Sequence, residues 1–263
     1  MDPAAYVEMD ALEEHHWWFR GKRRLLAPLI RRMLSAAPSA KSEQRVLEIG
    51  CGTGGNLFHF SKLHPGASFV GLDFDPGAIS FSKRKSERSD AAFDVLQGDG
   101  LKLPIATGSM DGALALDIIE HFEDDDAVCA ELARILAPGA SLVLSVPAWP
   151  SLWSPHDEFL HHARRYRPEQ IRELVQRAGL EIQEQRGFNF LLLPPIWIVR
   201  RAKSGRAKRK PAEHQSSGTD FFQMPAFIEA AFDLIFWAEA ALVRILPIRW
   251  GVSILVRAEK PKA

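Results

Sequence analysis

The pattern of hydrophobic and polar positions divides the chain into a helical start, a run of short apolar strands alternating with helices, and a late helical insertion. Residues 1–36 read as helical, with the aromatic and basic cluster His15-His16-Trp17-Trp18-Phe19-Arg20 at their middle. Residues 37–44 are polar and predict a linker. Strands are then predicted at Val46–Ile49, Ser68–Asp73, Ala92–Leu96, Gly112–Asp117 and Ser141–Val146. Helices are predicted between them over Asn56–Leu63, Pro76–Ser86 and Asp125–Leu136. Such alternation predicts an α/β, mainly parallel sheet, with helices supplying the crossovers. Pro138-Gly139 stops the third helix before the fifth strand. Pro168 opens a helix over Glu169–Ala178 and Gly179 closes it. Leu180–Phe190 alternates like a strand, and Gly251–Ala258 predicts a final one. Between these two lie residues 191–250, which a minimal domain does not need. The apolar run Phe188–Val199 leads into them, followed by a basic segment, Arg200–Lys210, and a polar stretch to Asp220. A helix from about Pro225 to Leu246 completes the insertion. Its Glu229, Asp233 and Arg244 fall within roughly 60° of one another at 100° per residue. The rest of its surface is largely apolar, so it is either well buried or lies on something apolar.

Composition narrows the function. The 263 residues carry 33 bases and 33 acids, so no net charge draws the molecule toward nucleic acid. Cys51 and Cys129, the two cysteines, make neither a disulfide framework nor a zinc-ligand set, and fit a reducing compartment. The first residues carry acids and lack an apolar signal core. No stretch of about 18 uncharged apolar residues is present to span a bilayer. The expectation is a soluble, cytoplasmic protein.

The strongest local signal is Val46-Leu-Glu48-Ile-Gly50-Cys51-Gly52-Thr-Gly54-Gly55-Asn56, joining the first strand to the first helix. Glycines let the backbone turn sharply and let a ligand approach without meeting a Cβ atom. In open α/β sheets that place is the carboxyl edge near the switch in strand order, where ligands bind. Gly50, Gly52 and Gly55 also satisfy the dinucleotide fingerprint, and Asp73 stands 18 residues after Gly55, where an acid grips a ribose. The turn by itself therefore suits a nicotinamide cofactor as well as S-adenosyl-L-methionine.

A wider set of residues resembles one family. Glu48-x-Gly50-x-Gly52-x-Gly54 is similar to the first motif of class I S-adenosylmethionine-dependent methyltransferases, and Gly71-Leu-Asp73-Phe74-Asp75 to their second. Gln97-Gly-Asp99-Gly100-Leu resembles the third motif, and Asp111–Asp117 with Ile-Ile-Glu120-His121-Phe the fourth strand and its exit loop. Leu136-Ala-Pro-Gly139 with Ser141–Val146 resembles the turn and fifth strand, so the likeness covers residues 45–148. HHWWFRGKRRLL near the start and SPHDEFLHHARRYRPEQI after the fifth strand resemble a bacterial subgroup associated with small molecules or lipid-linked sugars. The resemblance implies a doubly wound, seven-stranded, mainly parallel sheet (Rossmann-like) whose last strand is antiparallel. Residues 1–44 would be an N-terminal helical cover and 45–263 the methyltransferase domain, with insertion 191–250 as a substrate-specific cover. It implies S-adenosyl-L-methionine as cofactor, with Glu48, Gly50, Cys51, Gly52 and Gly54 shaping its methionine end. Asp73 takes the ribose, Phe74 lies beside the adenine, and Asp99 with Gly100 reads the adenine amine. Asp117 lies near the amino group, and Arg20 pairs with the carboxylate or is an exposed basic residue.

A sulfonium is already an activated methyl donor, so the protein has to orient a nucleophile and exclude water. If the acceptor is a hydroxyl, a histidine base helps. Candidates are His121, just past the fourth strand, and His156, His161 and His162 after the fifth, with Asp157 as a carboxylate that orients His156. His121, His156, Asp157 and His161 could also bind a divalent ion, but no tight ligand spacing supports it, and no metal is expected. Trp17, Trp18, Trp149, Trp153 and Tyr166 either wall an apolar acceptor pocket or pack in the core. The chain lacks the Asn/Asp-Pro-Pro-Tyr tetrad of nucleic-acid methyltransferases. The reading is methyl transfer to a small-molecule or lipid-like acceptor, at oxygen. The alternatives are a nicotinamide-dependent oxidoreductase and a non-catalytic cofactor-binding module. Residues 188–210, an apolar run beside seven bases, suit peripheral contact with an anionic inner membrane face, or a core strand followed by a solvated loop.

Overall fold

The computed structural model describes residues 3–37, 43–88, 93–197 and 225–262. Seven strands form one sheet: β1 (Gln44–Ile49), β2 (Ala67–Asp73), β3 (Asp94–Gln97), β4 (Met110–Leu116), β5 (Leu136–Pro147), β6 (Glu181–Phe188) and β7 (Ser253–Glu259). Their order is β3-β2-β1-β4-β5-β7-β6. β1 to β5 pair in parallel, while β7 runs antiparallel to both β5 and β6. The fold is thus the doubly wound, Rossmann-like α/β sheet with an antiparallel final strand. Strand order reverses between β1 and β4, which opens a crevice at their carboxyl ends. Every residue of β4 is buried, as a parallel strand covered on both faces must be.

Eight helices are described: α1 (Pro3–Leu12), α2 (Trp17–Ala36), α3 (Gly55–Leu63), α4 (Pro76–Glu87), α5 (Asp125–Ile135), α6 (Pro155–Phe159), α7 (Pro168–Arg177) and α8 (Ala226–Ile245). One face of the sheet packs Val128, Leu132, Ile171 and Leu174 of α5 and α7. The other packs Leu26, Ile30, Leu57, Phe60 and Phe236 of α2, α3 and α8.

Three elements differ from the pattern reading. Residues 3–36 form two helices, because the chain turns at Glu13–His16 and His16 caps α2, its Nδ1 accepting from Trp18 N at 3.3 Å. Helix α5 ends at Ile135 and β5 starts at Leu136, which pairs with Met110 ahead of a bulge. Pro138-Gly139 therefore lies inside the strand, with Gly139 at φ +81° donating to Lys260 O. The basic segment Arg200–Lys210, the stretch to Asp220, the linker at 38–42 and Ala92 lie outside the described residues.

Helix α8 is buried along one face and bare along the other. Phe236, Ala240 and Val243 face inward. Phe236 fills the space beside Gly21, where a Cβ would stand 2.3 Å from its ring. Trp17 stacks on Phe232 with centroids 4.5 Å apart. Asp233 accepts from Arg24 at 2.6 Å. On the outer face Phe227, Leu234, Trp237 and Ile245 are 62–79% exposed. None of the described helices is long and apolar enough to cross a membrane.

Phe236→Ala is expected to lower stability by about 3–5 kcal/mol, through a cavity between α2 and α8. A urea midpoint, with its slope unchanged, checks this.

Candidate active site

The chain leaves β1 at Ile49 and enters α3 at Gly55 through a turn in which Gly50, Gly52 and Gly54 have φ of +64°, +54° and +84°. Gly54 is the left-handed N-cap of α3, and a Cβ there would sit 2.3 Å from Ser82 Oγ. Conformation and crowding both demand glycine at that position. The Cys51 N–H donates to Leu72 O at 3.1 Å and ties the turn to β2. Its side chain points the other way, into the core, where a Cβ on Gly71 would meet Sγ at 2.8 Å. Burial holds this thiol well above its usual range. The Cys51 side chain packs in the core, and its backbone is the part that lies in the turn.

Asp73, at the end of β2, turns its carboxylate onto the glycine turn. Its Oδ2 accepts from Gly52 N at 2.9 Å and its Oδ1 from Asp75 N at 3.0 Å. Burial raises its pKa against the pull of these donors. Phe74 stands at the lip and is 76% exposed. Asp99 is exposed and its Oδ1 accepts from Leu101 N at 2.9 Å, which shapes the loop after β3. Gly100 is buried against Phe122, whose ring would be 2.7 Å from a Cβ there. Asp117, at φ +55° past β4, pairs with Lys22 of α2 and accepts from Ser145 Oγ at 2.9 Å. Burial would raise its pKa, but the Lys22 ammonium and the Ser145 hydroxyl bring it below the usual value.

Glu48 is buried on β1. Its Oε1 accepts from Asn56 Nδ2 at 3.0 Å, while Oε2 has no hydrogen-bond partner among the described residues.

Arg20 does not reach this site. It pairs with Asp233 of α8 at 3.5 Å, on the far side of α2. The positive charges near the glycine turn come instead from Lys22, on Asp117, and from Arg23, which donates to Glu13 O at 2.8 Å and Asn56 Oδ1 at 3.3 Å. Neither was singled out in the sequence, because the run Arg20-Gly-Lys-Arg-Arg offers four bases and only the docking angle of α2 selects two. The N-terminal helix lies over the turn. Glu13 Oε2 accepts from Gly55 N at 3.1 Å and its other oxygen pairs with Lys85 of α4. The Met9 methyl comes 3.1 Å from the place of a Cβ on Gly52. Tyr6 is buried beside Asp73 and Asp75, and both this burial and their charges raise its pKa.

A second polar group sits at the carboxyl end of β4. A short 3-10 turn over Ile119–His121 follows that strand. The His121 and His162 rings meet edge to face, centroids 4.8 Å apart. Burial lowers the His121 pKa to about 4, and the neighbouring His162 adds to this. Asp157 is fully buried at the start of α6. Its Oδ1 meets His162 Nδ1 at 3.0 Å and Arg165 Nε at 2.7 Å, and its Oδ2 accepts from Ser154 N and Oγ. Asp157 thus orients His162, the histidine five residues on, where the sequence had offered it to His156. His156 is half-buried on the short helix α6. The aromatic residues mostly pack: Trp17 and Trp18 on α8, Tyr166 buried with its hydroxyl on Asp125, and Trp149 donating to Gly251 O.

Burial pushes the Glu48 carboxyl up to about 7, against the Asn56 hydrogen bond and the Lys22 and Arg23 charges. An acid with a raised folded pKa binds its proton more tightly when folded. Stability is therefore full below the unfolded pKa, falls as pH rises toward 7, and then levels. Glu48→Gln is expected to match the unaltered protein near pH 4 and to exceed it at pH 8 by about 3 kcal/mol, from unfolding free energies across that range.

Comparison with known proteins agrees with this geometry. A family model described as a methyltransferase domain matches residues 47–144. A demethylmenaquinone methyltransferase of Thermus thermophilus is 34% identical over 104 residues, 40% of this chain and 47% of that protein. A ubiquinone biosynthesis O-methyltransferase of Cereibacter sphaeroides is 25% identical over 230 residues, 76% of this chain and 91% of that one. Several of the curated relatives are matched over less than half their length. Among solved structures, Haemonchus contortus phosphoethanolamine N-methyltransferase 2, bound to phosphomonomethylethanolamine and S-adenosylhomocysteine, superposes with a TM-score of 0.63. That likeness covers 100% of this chain and 59% of that one at 18% identity, and shows a shared fold. Residues 47–144, which carry the glycine turn, Asp73, Asp99 and Asp117, are thus similar to a methyltransferase domain and lie in a Rossmann-like sheet.

Proposed function

We propose that this chain is an S-adenosyl-L-methionine-dependent methyltransferase acting on a small-molecule or lipid-linked acceptor at oxygen. The observation that carries the reading is the Asp73 carboxylate resting on Gly52 N, beside a cradle of left-handed glycines at the sheet's switch point. That pairing fits a ribose, whose hydroxyls donate to a carboxylate, and a backbone bare enough for a nucleoside to lie against it. When bound, the cofactor supplies a methyl group already activated on its sulfonium. Lys22 takes the place given to Arg20 and meets the cofactor's carboxylate, while Asp117 meets its amino group. Glu48 braces the turn through Asn56. Phe74 and Asp99 lie on the adenine side, one at the lip and one in the loop after β3. Met9 and Tyr6 cover this end, so α1 serves as the cover and moves aside for entry. The acceptor hydroxyl faces the His121 and His162 rings at the end of β4, where it loses its proton as the oxygen attacks the methyl carbon. The names of the two curated relatives above support an apolar, small acceptor.

The exposed face of α8 favours one further element of the reading. Phe227, Leu234, Trp237 and Ile245 form a bare apolar stripe on the helix that follows the bases Arg200–Lys210 in the chain. A basic, apolar surface of this kind binds an anionic membrane peripherally. It would bring the protein to the inner membrane face, where a lipid-linked acceptor resides.

Calorimetry is expected to show S-adenosylhomocysteine binding and no heat with NAD(H), with Asp73→Ala weakening the former by about 10–100-fold, the value of hydrogen bonds to a charged group. Heat with NAD(H) alone would favour an oxidoreductase. The protein is also expected to co-sediment with phosphatidylserine-containing vesicles and to release at high salt. Trp237→Glu combined with neutral residues at 200–210 is expected to reduce the bound fraction several-fold, and unchanged binding would sink the membrane reading.

A further inference from the structure

Two acceptors face each other across a gap at the end of β4. Glu120 is fully buried, and neither of its carboxylate oxygens has a hydrogen-bond partner among the described residues. A buried polar group left in this way is costly unless something outside the chain satisfies it. Opposite it is His162, whose Nε2 stands 3.9 Å from Glu120 Oε1, too far for a hydrogen bond. The other ring nitrogen, Nδ1, meets Asp157 Oδ1 at 3.0 Å. Asp157 also accepts from Arg165 and from both donors of Ser154, so it is an ionised acceptor. Nδ1 therefore holds a ring hydrogen, and in the neutral imidazole Nε2 presents its lone pair toward Glu120. His121 completes the group: its ring lies against His162, and one ligand atom from each of Glu120, His121 and His162 falls within 4.8 Å of the others.

We propose that Glu120, His121 and His162 bind one divalent transition-metal ion. Two imidazoles and a carboxylate suit the zinc, manganese and iron(II) class and leave coordination positions open. With metal–ligand bonds near 2.1 Å, each ligand atom has to move by no more than about 1 Å to close on an ion. Asp157 is a positioning residue: a carboxylate on Nδ1 fixes the tautomer and aims Nε2, as carboxylates behind ligating histidines do. The sequence offered His121 to a divalent ion, but with His156, Asp157 and His161 rather than this set, because Glu120 and His162 are 42 positions apart and meet only when the loop after β5 folds back over the end of β4. The ion's task rests on the methyl-transfer reading above. An acceptor hydroxyl bound at an open position ionises near neutral pH and gives its proton to water. The oxygen's electron pair forms the O–CH₃ bond as the S–CH₃ pair departs with sulfur.

The test needs no acceptor. The full chain is stripped with a chelator, dialysed and titrated with Zn²⁺ by calorimetry and with Co²⁺ by visible absorption. One ion per chain is expected, with a histidine-ligated Co²⁺ spectrum. Glu120→Gln and His162→Gln are expected to weaken the ion at least 100-fold, and Asp157→Asn by 10–100-fold. His156→Gln, outside the group, is expected to leave affinity unchanged. Circular dichroism checks that each variant is folded, and the unaltered chain decides the question if one is not. No ion on the unaltered chain at tens of micromolar metal, with Glu120 satisfied by a proton alone, would overturn the proposal. Equal affinity in Glu120→Gln and His162→Gln would do the same. S-adenosylhomocysteine binding is measured on the same samples, so its absence counts against the methyltransferase reading and leaves the ion site standing.

Discussion

The bend after Ile49 must be bare of side chains because three structures converge on it. The carboxyl end of β1, the first turn of α3 and the Asp73 carboxylate from β2 all meet within a few residues. A Cβ at Gly54 would strike Ser82 of α4, so the turn also sets how closely α3 and α4 lie against each other. Because β1 sits at the switch in strand order, the same bend lies at the mouth of the crevice between β1 and β4. The polar groups of the site are arranged around that crevice, with Asp73 on one side and Asp117, Glu120 and His121 on the other.

Burying so many carboxylates at one end of a sheet needs nearby positive charge. The chain draws it from outside the sheet. Helix α2 sends Lys22 to Asp117 and Arg23 to Glu13 and Asn56, α4 sends Lys85 to Glu13, and the loop after α6 sends Arg165 to Asp157. Removing one partner of such a pair leaves a charge stranded in low dielectric, which is why these contacts hold the helices at fixed angles. Glu48 and Glu120 lie near the same cations but are paired with none of them. Glu48 keeps one oxygen and Glu120 keeps both without a hydrogen bond. Glu48 has Asn56 on its other oxygen, whereas Glu120 has His162 Nε2 at 3.9 Å from its Oε1.

Helix α8 is joined to the rest of the molecule along one face. Its inner face is anchored twice, by Phe236 against Gly21 and by Asp233 on Arg20 and Arg24. Glu239, buried beside it, accepts from Asn189 N just past β6 and links the helix to that edge of the sheet. The outer face has no such partners among the described residues and keeps four large apolar side chains in contact with solvent.

The sequence by itself determined the elements whose signals are local. Five parallel strands were legible because each is a short apolar run bounded by turn residues, and the glycine turn because four glycines in six residues serve few other purposes. Asp73 and Asp117 were legible because each ends a recognisable strand. What only the tertiary structure decided concerns groups whose meaning depends on rotation and distance. Helical periodicity runs through Glu13–His16 without a break, so the split into α1 and α2, and the cover that α1 lays over the turn, were hidden. The same periodicity cannot say which of four neighbouring bases faces inward, so Arg20 was chosen where Lys22 and Arg23 do the pairing. That Asp157 meets His162 was hidden for the same reason, since a returning loop can bring distant side chains into contact.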